Sequence, residues 1–276
     1  MNYTSPFEQL YKERCYIIDG KYKPTFWNPQ ELTSEPLCLF GDEDMTVEPE
    51  WGCEMTILKL LAAGLELELE VGEFVREASD RDLPSCDYVR KLLQSNIADE
   101  AKHFKGFSYA RQCYNIPQVY LQEAVSFRDR WKDLAEIEHP LLIAMAMEIG
   151  VFLPYLGCSR LFGGKSLSSM SRKIAEDEYR HVVTNRTAID SLGYNSYDLP
   201  KSVRDLIKES IVWAIGDLFI PEEECGEEFN LDFVLRASDE LISTGNAEDF
   251  NDTILLYDHV LPFENSNASQ YDRVLQ

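Results

Sequence analysis

From Trp51 onward the chain carries apolar residues at three- and four-residue intervals, the spacing that keeps one side of an α-helix dry. Trp51 to Ser79 holds this period without a proline. Ser85 is placed to cap a second helix that runs toward Tyr114 and stops at Asn115-Ile116-Pro117. Pro117 to about Ile137 reads as an amphipathic connecting helix. Pro140 opens a third long helix, apolar nearly all round and ended by Gly163-Gly164, and Lys165 to Leu192 forms a fourth, closed by Gly193. Further helices are expected over Pro200 to Phe219 and Leu231 to Leu241, on either side of the acidic loop Pro221 to Glu228. Before Trp51, Pro6, Pro24, Pro29, Pro36 and Pro49 rule out a long helix, so residues 1–50 read as an irregular arm. No stretch alternates as a strand should, and the expected fold class is all-α.

Charge narrows the function. With 26 basic against 49 acidic residues the net charge is -23, which excludes nucleic-acid binding by phosphate neutralisation. Seven scattered cysteines without a C-x-x-C spacing suit neither a disulfide framework nor a zinc knuckle, and a reducing cytoplasm is the expected compartment. No basic, apolar leader follows Met1. Pro140 to Gly157 is the one membrane candidate; it is short for a span and carries Glu148 at its middle, so it is expected to be a core helix and no membrane partner is expected.

The chain has four histidines, and two of them close copies of the same motif: Asp99-Glu100-Ala101-Lys102-His103 and Asp177-Glu178-Tyr179-Arg180-His181. A spacing of three residues sets Glu and His side by side on one helix face. Carboxylate plus imidazole suits iron or manganese, and two copies suit two ions. Each ion then needs a further carboxylate, which Glu68 and Glu148 can supply. Glu66, Glu70, Glu73 and Glu77 share a stripe with Lys59 and Ala63 that is expected to face water, whereas Glu68 falls among Leu61, Gly64, Leu65, Val71, Gly72 and Val75. Glu66 and Glu70 remain the alternatives to Glu68 as ligand. Gly64 and Gly72 leave room beside its carboxylate. Glu148 is the only charged residue between Pro140 and Gly157, and a lone buried acid costs several kcal/mol unless protonated, paired or bound to a cation. The interval from Glu68 to Glu100 nearly equals that from Glu148 to Glu178, so two similar helical hairpins would set the acids at similar heights. Glu136-Ile137-Glu138-His139 is a third Glu-x-x-His, but it abuts Pro140 and reads as chance or as a helix cap.

Six residues in this order resemble the ferritin-like di-iron carboxylate superfamily, in which two helices each give a Glu and two others each give Glu-x-x-His. Phe26-Trp27-Asn28-Pro29-Gln30-Glu31 is similar to the N-terminal segment of ribonucleotide reductase small subunits and of related ligand-binding oxidases. The resemblance implies a ferritin-like four-helix bundle with additional helices, one domain over 1–276: an arm (1–50), a metal-binding core (51–192), and extra helices with a tail (193–276). It implies metal ligands Glu68, Glu100, His103, Glu148, Glu178 and His181, a cofactor of two metal ions (Fe/Fe or Mn/Fe), and a relay of Trp27, Asp177 and His103 for electrons and protons. It also implies a helical homodimer.

The position of the reductases' radical tyrosine is Phe107 here, which excludes a stable tyrosyl radical there and matches relatives that use manganese with iron. The oxidases' Val–Tyr cross-link has Val71 at one position but Ile143 at the other, and cannot form. Tyr109, Tyr155 and Tyr179 lie near the ligand positions and read first as packing. The implied activity is O2-dependent oxidation of a small-molecule substrate, with an electron donor the residues do not name. Two rival expectations are a radical-generating small subunit that docks a larger enzyme through Gln270 to Gln276, and an iron-handling or structural helical protein.

Overall fold

A computed structural model describes residues 15–18, 21–24, 51–80, 83, 86–113, 115–161, 165–216, 238, 239, 242 and 243. Among these the fold is helical apart from one hairpin, with α1 (Trp51–Asp80), α2 (Asp87–Cys113), α3 (Gln118–Ala135), α4 (Pro140–Leu161), α5 (Lys165–Ser191) and α6 (Lys201–Ile215). The punctuation read from sequence sets these limits. Residues 115–117 separate α2 from α3, and Pro140 and Pro200 stand at or just before helix starts, where their missing N–H costs nothing. After α5, Gly193 takes φ +88; its N–H reaches the Asp190 carbonyl while the Tyr194 N–H reaches that of Ile189, a paired closure of the last turn that favours glycine. The expected cap Ser85 lies outside the described residues, and α2 begins two positions later, at Asp87. Of the helix expected over Leu231 to Leu241, residues 238 and 239 are described and are helical, as are 242 and 243 just beyond.

One expectation is corrected. The N-terminal arm is not wholly irregular: β1 (Cys15–Ile18) pairs antiparallel with β2 (Lys21–Pro24), Ile17 opposite Tyr22 and Ile18 opposite Lys21. The strands are too short to show alternation, but Asp19-Gly20 between them is a hairpin turn sequence, and that was the usable signal.

Four helices surround the metal-ligand candidates. α1 packs on α2, α4 packs on α5, and the two pairs meet through α1 against α4 and α2 against α5. Leu61, Leu92, Leu93, Leu141, Ile143, Met145 and Ile149 fill the interior of one continuous apolar cluster. α4 is buried from Pro140 through Gly150, which explains its lack of a polar face. No helix among the described residues is long and apolar enough to cross a membrane.

α3 lies against α1 and corrects the reading of the Glu66 stripe. Lys59 and Ala63 are buried, Lys59 sitting over the Tyr120 ring, while Glu66 pairs with Arg128 at 2.7 Å and Glu70 with Lys132 at 3.0 Å. Only Glu73 and Glu77 of that stripe are exposed. α3 is tied in turn to α6 by Arg130 with Glu209 and by Trp213 donating to Glu123. Gly64 and Gly72 serve α2 rather than the Glu68 carboxylate: a Cβ at Gly64 would strike the Phe107 ring, and one at Gly72 would rest 3.5 Å from Glu100 Cβ. Glycine therefore lets α2 approach α1 where Glu68 and Glu100 stand.

Candidate metal centre

The structure brings the six expected ligand residues together. Glu68 projects from α1, Glu100 and His103 from α2, Glu148 from α4, Glu178 and His181 from α5, and all six are buried. They form two overlapping groups that could hold metal ions: Glu68, Glu100, His103 and Glu178 in one, Glu100, Glu148, Glu178 and His181 in the other, with ligand atoms within 4.8 Å of one another in each. Glu100 and Glu178 belong to both. Glu66 and Glu70 are engaged by the cations of α3, which leaves Glu68 as the acid of α1 at the centre.

Atom by atom, the imidazoles aim one nitrogen inward. Nδ1 of His103 is 3.1 Å from Glu68 Oε2 and 3.2 Å from Glu178 Oε1; Nδ1 of His181 is 2.8 Å from Glu100 Oε1 and 3.3 Å from Glu148 Oε1. The two rings are 6.0 Å apart, centroid to centroid. Both oxygens of Glu100 and of Glu178, Glu148 Oε1 and His181 Nδ1 are buried without an aligned hydrogen bond. Buried charged oxygens almost always have hydrogen-bond partners, so oxygens that converge here without aligned ones could hold a cation. The donor set of four carboxylates and two imidazoles fits two first-row divalent ions and balances their charge.

Proton affinities record the same crowding. Burial, followed by the charge of Glu178, pushes Glu100 up to about 7, against the pull of the imidazoles. Burial works to lower His181, but Glu100, Asp99 and Glu178 outweigh it and hold the ring up to about 9. His103 also stands well above its ordinary value, with Glu100, Glu178 and Glu68 overcoming burial. Glu178 is held low by the two imidazoles in spite of its burial. Metal binding at these groups would displace protons.

Around the ligands, Asp177 is buried and accepts from Nε2–H of His103 at 3.1 Å, the pairing expected from sequence. A second pairing was missed: Nε2 of His181 meets Asp99 Oδ2 at 3.3 Å. The Asp of each motif thus serves the His of the other, and the doubled Asp-Glu-x-x-His was the signal that could have shown it. Also unforeseen is the cation immediately before the His of each motif. Lys102 lies 2.7 Å from Asp99 Oδ1 and 3.0 Å from Asp177 Oδ2, and Arg180 pairs with Asp177 Oδ1.

Tyr155 is more than packing, since its hydroxyl donates to Glu68 Oε1 at 2.7 Å while its ring stacks on Phe107 at 5.6 Å. Tyr179 is half-buried beside Phe152, and Tyr109 packs at the edge of the core. Val71 and Ile143 are ordinary core residues. His139 is a cap: its Nδ1 accepts from the Leu141 N–H at the start of α4, and it belongs to neither ligand group. Trp27, Glu222 to Glu224 and the tail Gln270 to Gln276 lie outside the described residues.

No protein-family model, no curated protein and no solved structure matches the chain.

Proposed function

We propose that this chain is a ferritin-like dinuclear metal carboxylate oxidoreductase: α1, α2, α4 and α5 act as the four-helix bundle, two iron ions or one manganese and one iron are the cofactor, and dioxygen is activated to oxidise a small-molecule substrate. The observation that carries the reading is the pair of buried ligand groups sharing Glu100 and Glu178, because carboxylates common to both groups suit two ions held side by side. When bound, such ions supply the electrons that reduce dioxygen.

The chain's own residues do the rest. Glu100 and Glu178 would serve both positions, with Glu68 and His103 at one and Glu148 and His181 at the other. Asp177 and Asp99 would keep the proton on each Nε2 when a metal ion displaces the one on Nδ1, leaving Nδ1 as the inward donor. Tyr155 steadies Glu68, leaving its other oxygen turned toward His103. Leu141, Ile143, Met145 and Ile149 of α4 keep water out of the interior around Glu148. Exclusion of water strengthens each of these charged contacts.

Protein loaded anaerobically with iron(II), with or without manganese(II), and then mixed with air-saturated buffer is expected to consume dioxygen in one rapid phase that ends at the bound metal. His181→Ala should lose the phase. Loaded protein that leaves dioxygen untouched would refute the reading, and oxidation continuing far beyond two ions per chain would favour iron handling instead.

A further inference from the structure

The ligand residues account for the inner charge of the site but not for a buried lysine on its outer side. Lys102 is 8% exposed, and its ammonium lies between two carboxylates on different helices: Asp99 Oδ1 of α2 at 2.7 Å and Asp177 Oδ2 of α5 at 3.0 Å. Each of those carboxylates meets Nε2 of a different ligand imidazole, Asp99 that of His181 and Asp177 that of His103. A continuous path therefore runs from His181 through Asp99, Lys102 and Asp177 to His103, behind the metal positions. We infer that Lys102 is the positioning residue common to both metal positions: one ammonium fixes both aspartates, and through them the angle and tautomer of both imidazoles. The inference rests on the dinuclear reading above.

The chemistry favours a shared clamp. An aspartate with no cation near it would draw the imidazole proton toward itself and turn with it, whereas an aspartate held by an ammonium keeps a set distance and remains the acceptor. Lysine's compact charge suits a gap between two carboxylates, and Arg180, at the matching position of the other motif, approaches Asp177 from a half-exposed side.

Manganese(II) titrated anaerobically, with the free ion followed by its EPR signal, reads the two binding steps. Lys102→Met is expected to weaken both steps, by up to about 10-fold since it acts through the aspartates, and less at the step that depends on His103 because Asp177 keeps Arg180; Lys102→Arg should recover most of the loss by restoring the charge. Arg180→Met should weaken chiefly the step that depends on His103. Lys102→Gln, of similar length and able to donate, replaces Lys102→Met if that variant does not fold, with the same expectation. Wild-type affinity at both steps, or weakening confined to one, would overturn the shared clamp while leaving the metal site standing. A wild type that takes up no manganese and no iron would instead remove the dinuclear reading itself.

Discussion

Glu178→Ala is expected to abolish binding of both metal ions, whereas Glu148→Ala removes one and leaves the other. The difference comes from membership: Glu178 lies in both ligand groups, Glu148 in one. Loss of an outer partner costs a metal site about 10–100-fold in affinity, and loss of a direct ligand shared by two ions should exceed that at both positions. Alanine at 178 also takes from the two imidazoles the acid that they hold ionised, so the metal-free variant should be less stable than wild type. Metal analysis is therefore read on the folded fraction recovered by gel filtration, with circular dichroism confirming its helices. Equal losses in the two variants would show that the acids do not divide as the distances divide them.

Metal loading should raise the melting temperature, and by more at pH 9 than at pH 6. Ions at about 100 times their Kd contribute about 2.7 kcal/mol per site, so two sites give on the order of 5 kcal/mol. In a chain of this size that is a rise of roughly 10–20 °C. The pH dependence follows from the metal-free protein. His181 is raised from its ordinary 6.5 to about 9 when folded, so the stability it contributes is complete below 6.5 and lost as pH climbs through 9. His103 shifts the same way, and Glu100, raised from 4.5 to about 7, adds the same sign at lower pH. Glu178 works oppositely at the acid end, since its lowered pKa gives stability that is present above 4.5 and fades on acidification below it. Metal-free protein should thus soften from neutral toward alkaline pH, where protons no longer compete with the ions. Calorimetry across pH 6 to 9 checks this; a metal-free melting temperature that climbs over that range would contradict it.

Helix limits and ligand acids were legible in the sequence for definite reasons. Proline and glycine act locally, so Pro140, Pro200 and Gly193 mark helix ends whatever packs around them. Glu148 among apolar neighbours needs no tertiary information to be recognised as buried. The stripe from Lys59 to Glu70 was misread because its environment is set by α3, which returns across α1 from more than forty residues further along the chain. Partners on separate helices are equally invisible to spacing. Asp99 with His181, Lys102 with Asp177 and Tyr155 with Glu68 each join elements whose relative height and rotation only the folded chain defines. The role of the glycines was misplaced for the same reason, since what fills the space beside Gly64 is a ring from α2.

Metal content per chain, measured on wild-type protein after anaerobic loading with iron(II) and manganese(II) and removal of the excess, bears most directly on the buried acids at 68, 100, 148 and 178. Two ions per chain are expected. Protein that emerges metal-free from both ions, still folded, would contradict the central claim that these carboxylates are held in the interior to bind a pair of cations.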